Sequence, residues 1–294
     1  MIDRADFQAL VERAMQATGR AQMRPVVEKE LLHYDLLFAL DSAGLLDTLT
    51  FQGGTCLRLC YGSARYSEDL DFAGGKDFAA ANLARMKGCL EAYVGSRYGL
   101  EVSVKQPAEL AAESGRSNVK TNKWQIRVVT SPGRPDLPKQ MIKIEVASVA
   151  AHTRTPRPLK RNYDFLPDGY GDTIVLCESL DEIMADKIVS LVDCKRYVRH
   201  RDIWDLPWLK QQGAQVRQDL VRSKVQDYAV RDFESNAEKM IERLPGIVHG
   251  KAFTDQMGRF IPIDVQDRTL MKEKFLTVLN NETVGILRQA IDAA

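Results

Sequence analysis

Apolar residues recur at helical spacing over residues 3–18, where Phe7, Leu10, Val11, Ala14 and Met15 form one stripe. The chain is therefore expected to open with an amphipathic helix. A second helix is predicted from about Pro25 to Ala43, since Pro25 suits a first turn and Gly44 a stop. The pattern then changes. "TLTFQGGT" reads as a short strand ending in a glycine turn, "TCLRLCYG" as a short helix, and the alternating "SEDLDFAG" as a strand. Helical spacing returns over residues 78–96. Three strand-like runs follow, "LEVSVKQ", "KWQIRVVT" and "MIKIEVASV", and the last two alternate as half-buried strands do. Residues 153–172 turn to Pro, Gly and Asp and mark a boundary, placed after residue 170. Beyond it, Ser179 and Glu182 fit a capping box, and further helices are expected near 201–212, 215–229, 232–243 and 268–291. The predicted class is α+β, a mixed α/β half over residues 1–170 with a mixed sheet flanked by helices, followed by a helical half over 171–294.

Composition changes this picture little. The chain has 294 residues, 45% hydrophobic and 28% charged, the balance of a globular domain with an ordinary core. No apolar run approaches the length of a membrane span, and the charged N-terminus lacks the apolar core of a signal peptide. A cytoplasmic protein without a membrane role is expected. Five cysteines are scattered without C-x-x-C spacing, beside four histidines, so reduced core thiols are expected rather than a disulfide scaffold or a zinc site. Charge matters more. Residues 115–162 hold eleven basic side chains and two acidic ones, a local +9 in a chain of net +1. Such a segment suits a polyanion if the charges converge, and is a solvated face if they do not.

The candidate chemistry lies in "FQGGTCLRLCYGSARYSEDLDFA", residues 51–73. Asp69 and Asp71 are two apart, which on a strand puts both carboxylates on one face while Leu70 and Phe72 point to the core. Like charges that close need a counter-ion, and Mg2+, or Mn2+ in its place, resolves the conflict. Glu145, in the alternating run "KIEVAS", is the candidate third carboxylate. Upstream, Gly53 and Gly54 allow backbone to approach a ligand closely, and Thr55 can begin a helix; such turns hold phosphate through their amides. A phosphate cradle followed by a carboxylate pair suits a nucleoside triphosphate. Each feature alone has a plain alternative: a solvated strand edge for Asp69 and Asp71, an ordinary cation for Arg58 or Arg65, a turn cap for Ser67, surface pairs for Asp202 and Asp205, and helical core for Trp204 and Trp208.

The combination of "GGT-x-L-x-L" and "R-x-SEDLDF" resembles the AbiEii / MenT-type nucleotidyltransferase toxin family, within the superfamily of the DNA polymerase β-type fold. "ADKIVSLVDCKRYVRHRDIWDL" resembles the later family motifs, a helix with a D-K pair followed by "R-D-x-x-D-L". Residues 210–294 carry no motif of this kind. The resemblance implies a polymerase β-like core, with Asp69 and Asp71 as the metal-binding and catalytic pair and Glu145 as a further metal ligand. It places Gly53, Gly54, Thr55, Arg65 and Ser67 at the nucleotide, and Ser67 also at a position phosphorylated for control in some relatives. It gives Lys187 to the nucleotide phosphates and makes Asp202, with Asp205 as the competing assignment, the further catalytic acid.

What the resemblance implies about function is a Mg2+-dependent transfer of a nucleotide from an NTP to an acceptor hydroxyl, by a toxin of a toxin–antitoxin or phage-defence system. The 3′ end of tRNA is the leading acceptor, and a cognate antitoxin is an implied partner. The basic segment suits an RNA, although an acidic antitoxin would suit it too. Nucleotidylation of a protein or small molecule, and an inactive NTP-binding interaction module, are the alternatives.

Overall fold

A computed structural model describes residues 5–17, 19–110, 119–134, 136, 139–194 and 197–292. The chain forms two compact units, Met1–Cys177 and Glu178–Ala294.

The first unit is built on a mixed sheet of seven strands among the described residues. Helix α1 (Phe7–Met15) starts at Asp6, whose carboxylate accepts the amides of Gln8 and Ala9. The described part of this helix is shorter than the stripe over 3–18, and residues 3, 4 and 18 lie outside the described residues. Helix α2 (Arg24–Ser42) has Pro25 in its first turn, and Gly44, with φ +65°, follows its end. Strand β1 (Thr50–Gln52) runs straight into α3 (Gly53–Cys56), continued by a single π-helical turn over Leu57–Tyr61 that Gly62 stops at φ +87°. Strand β2 is Leu70–Ala73. The helix expected over 78–96 is instead a 3₁₀ turn at Ala80–Leu83 followed by α4 (Met86–Tyr98), which Gly99 ends. Then come β3 (Val102–Lys105), β4 (Thr121–Val128), β5 (Gln140–Ala147), β6 (Thr155–Pro158), the single turn α5 (Asp168–Gly171) and β7 (Ile174–Cys177).

The strand order is β3-β4-β5-β2-β1-β7-β6, parallel at β2–β5 and β1–β7 and antiparallel elsewhere. Every second residue of β4 and β5 is buried, as their alternation predicts: Trp124, Ile126 and Val128 on one, Ile142, Ile144 and Val146 on the other. Helix α2 is buried on nearly all sides, which explains its weak amphipathicity. Its enclosed polar groups find partners: Glu30 meets Arg58 at 2.7 Å and Asp35 meets Arg97 at 3.1 Å.

Two elements differ from the sequence expectation. Residues 155–158 contain two prolines and read as linker, yet they form β6. Proline is tolerated there because β6 is the outer strand and needs hydrogen bonds on one side only. Residues 174–177 fall in the expected helical half, but they pair with β1 and β6, so the first unit ends after the sheet closes.

The second unit is helical: α6 (Leu180–Asp193), α7 (His200–Gln211), α8 (Gln218–Asp227), α9 (Phe233–Val248), α10 (Lys251–Gly258), α11 (Ile263–Arg268) and α12 (Glu273–Ile291). Ser179 caps α6 by accepting the Glu182 amide at 3.2 Å. The short helices α10 and α11 have no counterpart among the expected elements, and α9 runs past Pro245. No helix among the described residues is long and apolar enough to cross a membrane.

Candidate active site

Strand β1 delivers the chain to the Gly53–Gly54 turn, and β2 lies antiparallel beside it, with Gln52 in register with Asp71. On the other side β5 runs parallel to β2, with Asp71 in register with Glu145. Residues opposite each other on neighbouring strands share a face. Asp71 and Glu145 therefore stand side by side, next to the glycine turn. Lys123 of β4, in register with Glu145, completes the row and meets its carboxylate at 3.0 Å. Leu70 and Phe72 point the other way and are buried, as expected.

Asp69 differs from its expected place. Strand β2 begins at Leu70, so Asp69 stands at its entry, where its Oδ1 accepts the Lys143 amide of β5 at 3.0 Å. One carboxylate of the pair is thus oriented by backbone and the other by strand register.

Side chains on the turn would force its neighbours to move. Gly53 has φ +75°, and a Cβ there would stand 2.8 Å from Asp71 Oδ2. A Cβ on Gly54 would stand 2.5 Å from the Arg65 guanidinium and 2.9 Å from Ser67 Oγ. The backbone itself is thereby brought against the carboxylate. Gly53→Ala is expected to cost about 1–3 kcal/mol through left-handed strain and overpacking. It also moves Asp71, so stability in denaturant and activity should fall together; an unchanged melt with full activity would contradict this close approach.

Thr55 is buried, and its hydroxyl donates to the Asp69 carbonyl, tying the turn to the acidic segment. Arg65 is only 2% exposed and donates to the Tyr66 carbonyl at 2.8 Å, so it props the turn from beneath. Ser67 is buried under Gly54 as well. Arg58 is paired with Glu30 and lies over the Tyr66 ring.

Behind the acidic segment, His33 of α2 sits 1% exposed with Nε2 3.0 Å from the Glu68 carbonyl, while Lys29 meets the Glu68 carboxylate at 2.9 Å. Burial pushes the His33 imidazole down to about 4, more than the Glu68 carbonyl raises it. The fold thus holds a neutral ring. The stability this supplies is complete above about pH 6.5, the ordinary value, and drains as pH falls towards 4. His33→Gln should remove up to about 3 kcal/mol of the acid destabilisation across that window. Identical pH–stability curves for wild type and variant would contradict it.

The helical unit carries the other expected residues. Lys187 of α6 is 6% exposed, with Nζ 2.9 Å from Asp202 Oδ1 and 2.7 Å from Asp205 Oδ2 on α7. Both aspartates are buried, not the surface pairs that their i, i+3 spacing also allowed. Burial would raise the Asp202 carboxyl, but Arg199 and Lys187 outweigh it and hold the group well below the usual carboxylate range. Trp204 packs on Phe275 in the unit's core.

Sequence reasoning missed Lys123, whose place follows only from strand register, and Lys224 of α8. Lys224 Nζ is fully buried, at 2.9 Å from Glu178, 2.7 Å from Glu182 and 3.0 Å from Asp186. Glu182 and Asp186, four apart, share one face of α6, and Glu178 stands just before the Ser179 cap, a spacing present in the sequence.

The basic segment does not act as one patch. Arg116 lies outside the described residues, Arg134 pairs with Asp136, Arg161 with Asp168, and Arg154 reaches the Asp47 carbonyl. Lys105, Lys123, Arg127 and Lys143, however, share the sheet face of Asp71 and Glu145, by the registers of β3, β4 and β5.

Among solved structures, the chain is similar to MenT4, the nucleotidyltransferase toxin Rv2826c from Mycobacterium tuberculosis H37Rv. Identity is 16% and the TM-score 0.58, over 99% of this chain and 94% of that one. It is also similar to JHP933 from Helicobacter pylori, at 15% identity and TM-score 0.46, over 91% and 92% of the two chains. The fold is that of a nucleotidyltransferase toxin. No curated protein matches the chain by sequence. The family model "Nucleotidyl transferase AbiEii toxin, Type IV TA system" matches residues 35–281. The chain belongs to this AbiEii nucleotidyltransferase toxin family.

Proposed function

We propose that this chain transfers a nucleotide from an NTP to the 3′ hydroxyl of tRNA, using Mg2+, or Mn2+ in its place, held by Asp69, Asp71 and Glu145. The observation that carries the reading is the in-register row of Asp71 and Glu145 beside a glycine turn packed against Asp71, Arg65 and Ser67, on a sheet face that continues into Lys105, Lys123, Arg127 and Lys143.

The residues suit a hard divalent cation. Gln52 Oε1, opposite Asp71, is a buried oxygen without a hydrogen-bond partner among the described residues, and it adds to the oxygen donors that such ions prefer. When bound, the ion supplies positive charge for the triphosphate and lowers the pKa of the attacking hydroxyl. The chain's own groups do the positioning. Gly53 and Gly54 let backbone amides approach phosphate. The Lys143 amide fixes the Asp69 carboxylate, and Lys123 fixes Glu145. Thr55, Arg65 and Ser67 hold the turn in place from inside. Lys187 and Asp202 take the phosphate and acid roles that the family resemblance assigns, with the Lys187 ammonium already placed between Asp202 and Asp205. A cognate antitoxin as partner and a cytoplasmic setting complete the proposal.

The test is transfer of label from each NTP in turn to total tRNA. Label on tRNA that chelation abolishes and Mg2+ restores supports the reading; label on protein, or none with any NTP, contradicts it. RNA affinity should also fall with salt. Replacing exposed Lys105 and Arg127 by Ala should reduce the log–log salt slope by about 0.7–0.9 for each phosphate left without its cation. An unchanged slope would remove this sheet face from the interface.

A further inference from the structure

Three of the five cysteines converge beneath the glycine turn. Cys56 ends α3, Cys60 lies on the π-helical turn one helical repeat further on, and Cys177 ends β7. Parallel pairing of Phe51 with Cys177 brings that strand end under the start of α3. The three sulfurs lie within 4.8 Å of one another, and the residues are 0%, 3% and 0% exposed.

The geometry points to a soft divalent d10 cation, of the zinc class, bound by the Cys56, Cys60 and Cys177 sulfurs in the core of the first unit. At a metal–sulfur distance of ~2.3 Å, an ion at the centre of three sulfurs spaces them by ~4.0 Å. The observed triangle reaches that by shifts of a few tenths of an ångström. Thiolates select thiophilic ions over the hard cations that suit Asp71 and Glu145. The charge also closes. Arg157 of β6 is in register with Val175, two residues before Cys177, and so shares its face. Its guanidinium lies over the Tyr61 ring at 4.5 Å, and its Nε is buried without a hydrogen-bond partner among the described residues. Three thiolates, a divalent ion and the Arg157 cation together carry no net charge. Binding forms three metal–sulfur bonds and releases the three thiol protons to solvent. Because Cys56 follows Thr55 directly, the ion would stiffen the base of the glycine turn. This site is independent of the proposed reaction.

The test uses the full chain, reduced and stripped with chelator, titrated with Cd2+. Thiolate-to-cadmium charge-transfer absorption should saturate at one ion per chain, with proton release, and Zn2+ should displace it. Cys177→Ser should weaken Cd2+ binding at least tenfold. The double variant Cys89→Ser/Cys194→Ser, which removes the two cysteines outside the cluster, should bind as wild type does. If Cys177→Ser does not fold, the wild-type and double-variant titrations still decide. No saturable band in wild type, undiminished affinity in Cys177→Ser, or a band abolished in the double variant would each overturn the site.

Discussion

Asp71→Ala is expected to abolish nucleotide transfer, by roughly 10³-fold or more, while leaving the protein folded. Asp71 is half-buried, and its backbone carries the ladder to β1 and β5 whatever its side chain. Its carboxylate is the group against which Gly53 is pressed and the one aligned with Glu145. Losing a charge that holds the ion costs several kcal/mol of transition-state stabilisation, which is a factor of roughly 10³ in rate. Truncation to Ala leaves the glycine turn unobstructed, so the melting transition should move by no more than about 1 kcal/mol equivalent. Steady-state transfer rates and denaturant melts on one preparation check both halves. A variant within tenfold of wild type would remove Asp71 from the chemistry. A variant that unfolds would make its role structural instead.

Lys224→Met should give the largest loss of stability, about 3–5 kcal/mol. The ammonium is fully buried between Glu178, Glu182 and Asp186. Burial and the neighbouring Asp186 charge push the Glu178 carboxyl well up, while Lys224 opposes them. Removing Lys224 leaves like charges enclosed without a counter-charge. Exposed Lys210, which meets Glu282 at 2.6 Å, is the comparison: Lys210→Ala should cost under about 1 kcal/mol. Equal losses for the two variants, read by denaturant titration, would contradict a special weight for the buried cluster.

Much of the first unit is legible in the chain. Alternation in β4 and β5 locates both strands, and the two glycines before "SEDLDF" mark the turn and the acidic strand that meet in space. Pro25 and Gly44 bound α2 because they act through local backbone geometry. What is not legible depends on neighbours distant in the chain. The pairing of Asp71 with Glu145 and Lys123 is set by strand register, which alternation alone leaves open. Strand β6 is hidden by prolines that only an outer strand tolerates. Asp186 and Lys187 read as one D-K pair, yet adjacent helical residues point about 100° apart. Asp186 accordingly serves Lys224, and Lys187 serves Asp202 and Asp205. Cys177 is remote from Cys56 and Cys60 in sequence and joins them only when β7 pairs with β1. Thr55 is expected at the triphosphate, but its hydroxyl is committed to the Asp69 carbonyl.

The most direct measurement compares intact tRNA with tRNA whose terminal ribose has been opened by periodate, each incubated with labelled NTP, Mg2+ and wild-type protein. Transfer to a 3′ hydroxyl predicts label on intact tRNA alone, and none with Asp71→Ala. Label on the oxidised tRNA, or on both equally, would contradict the proposed acceptor.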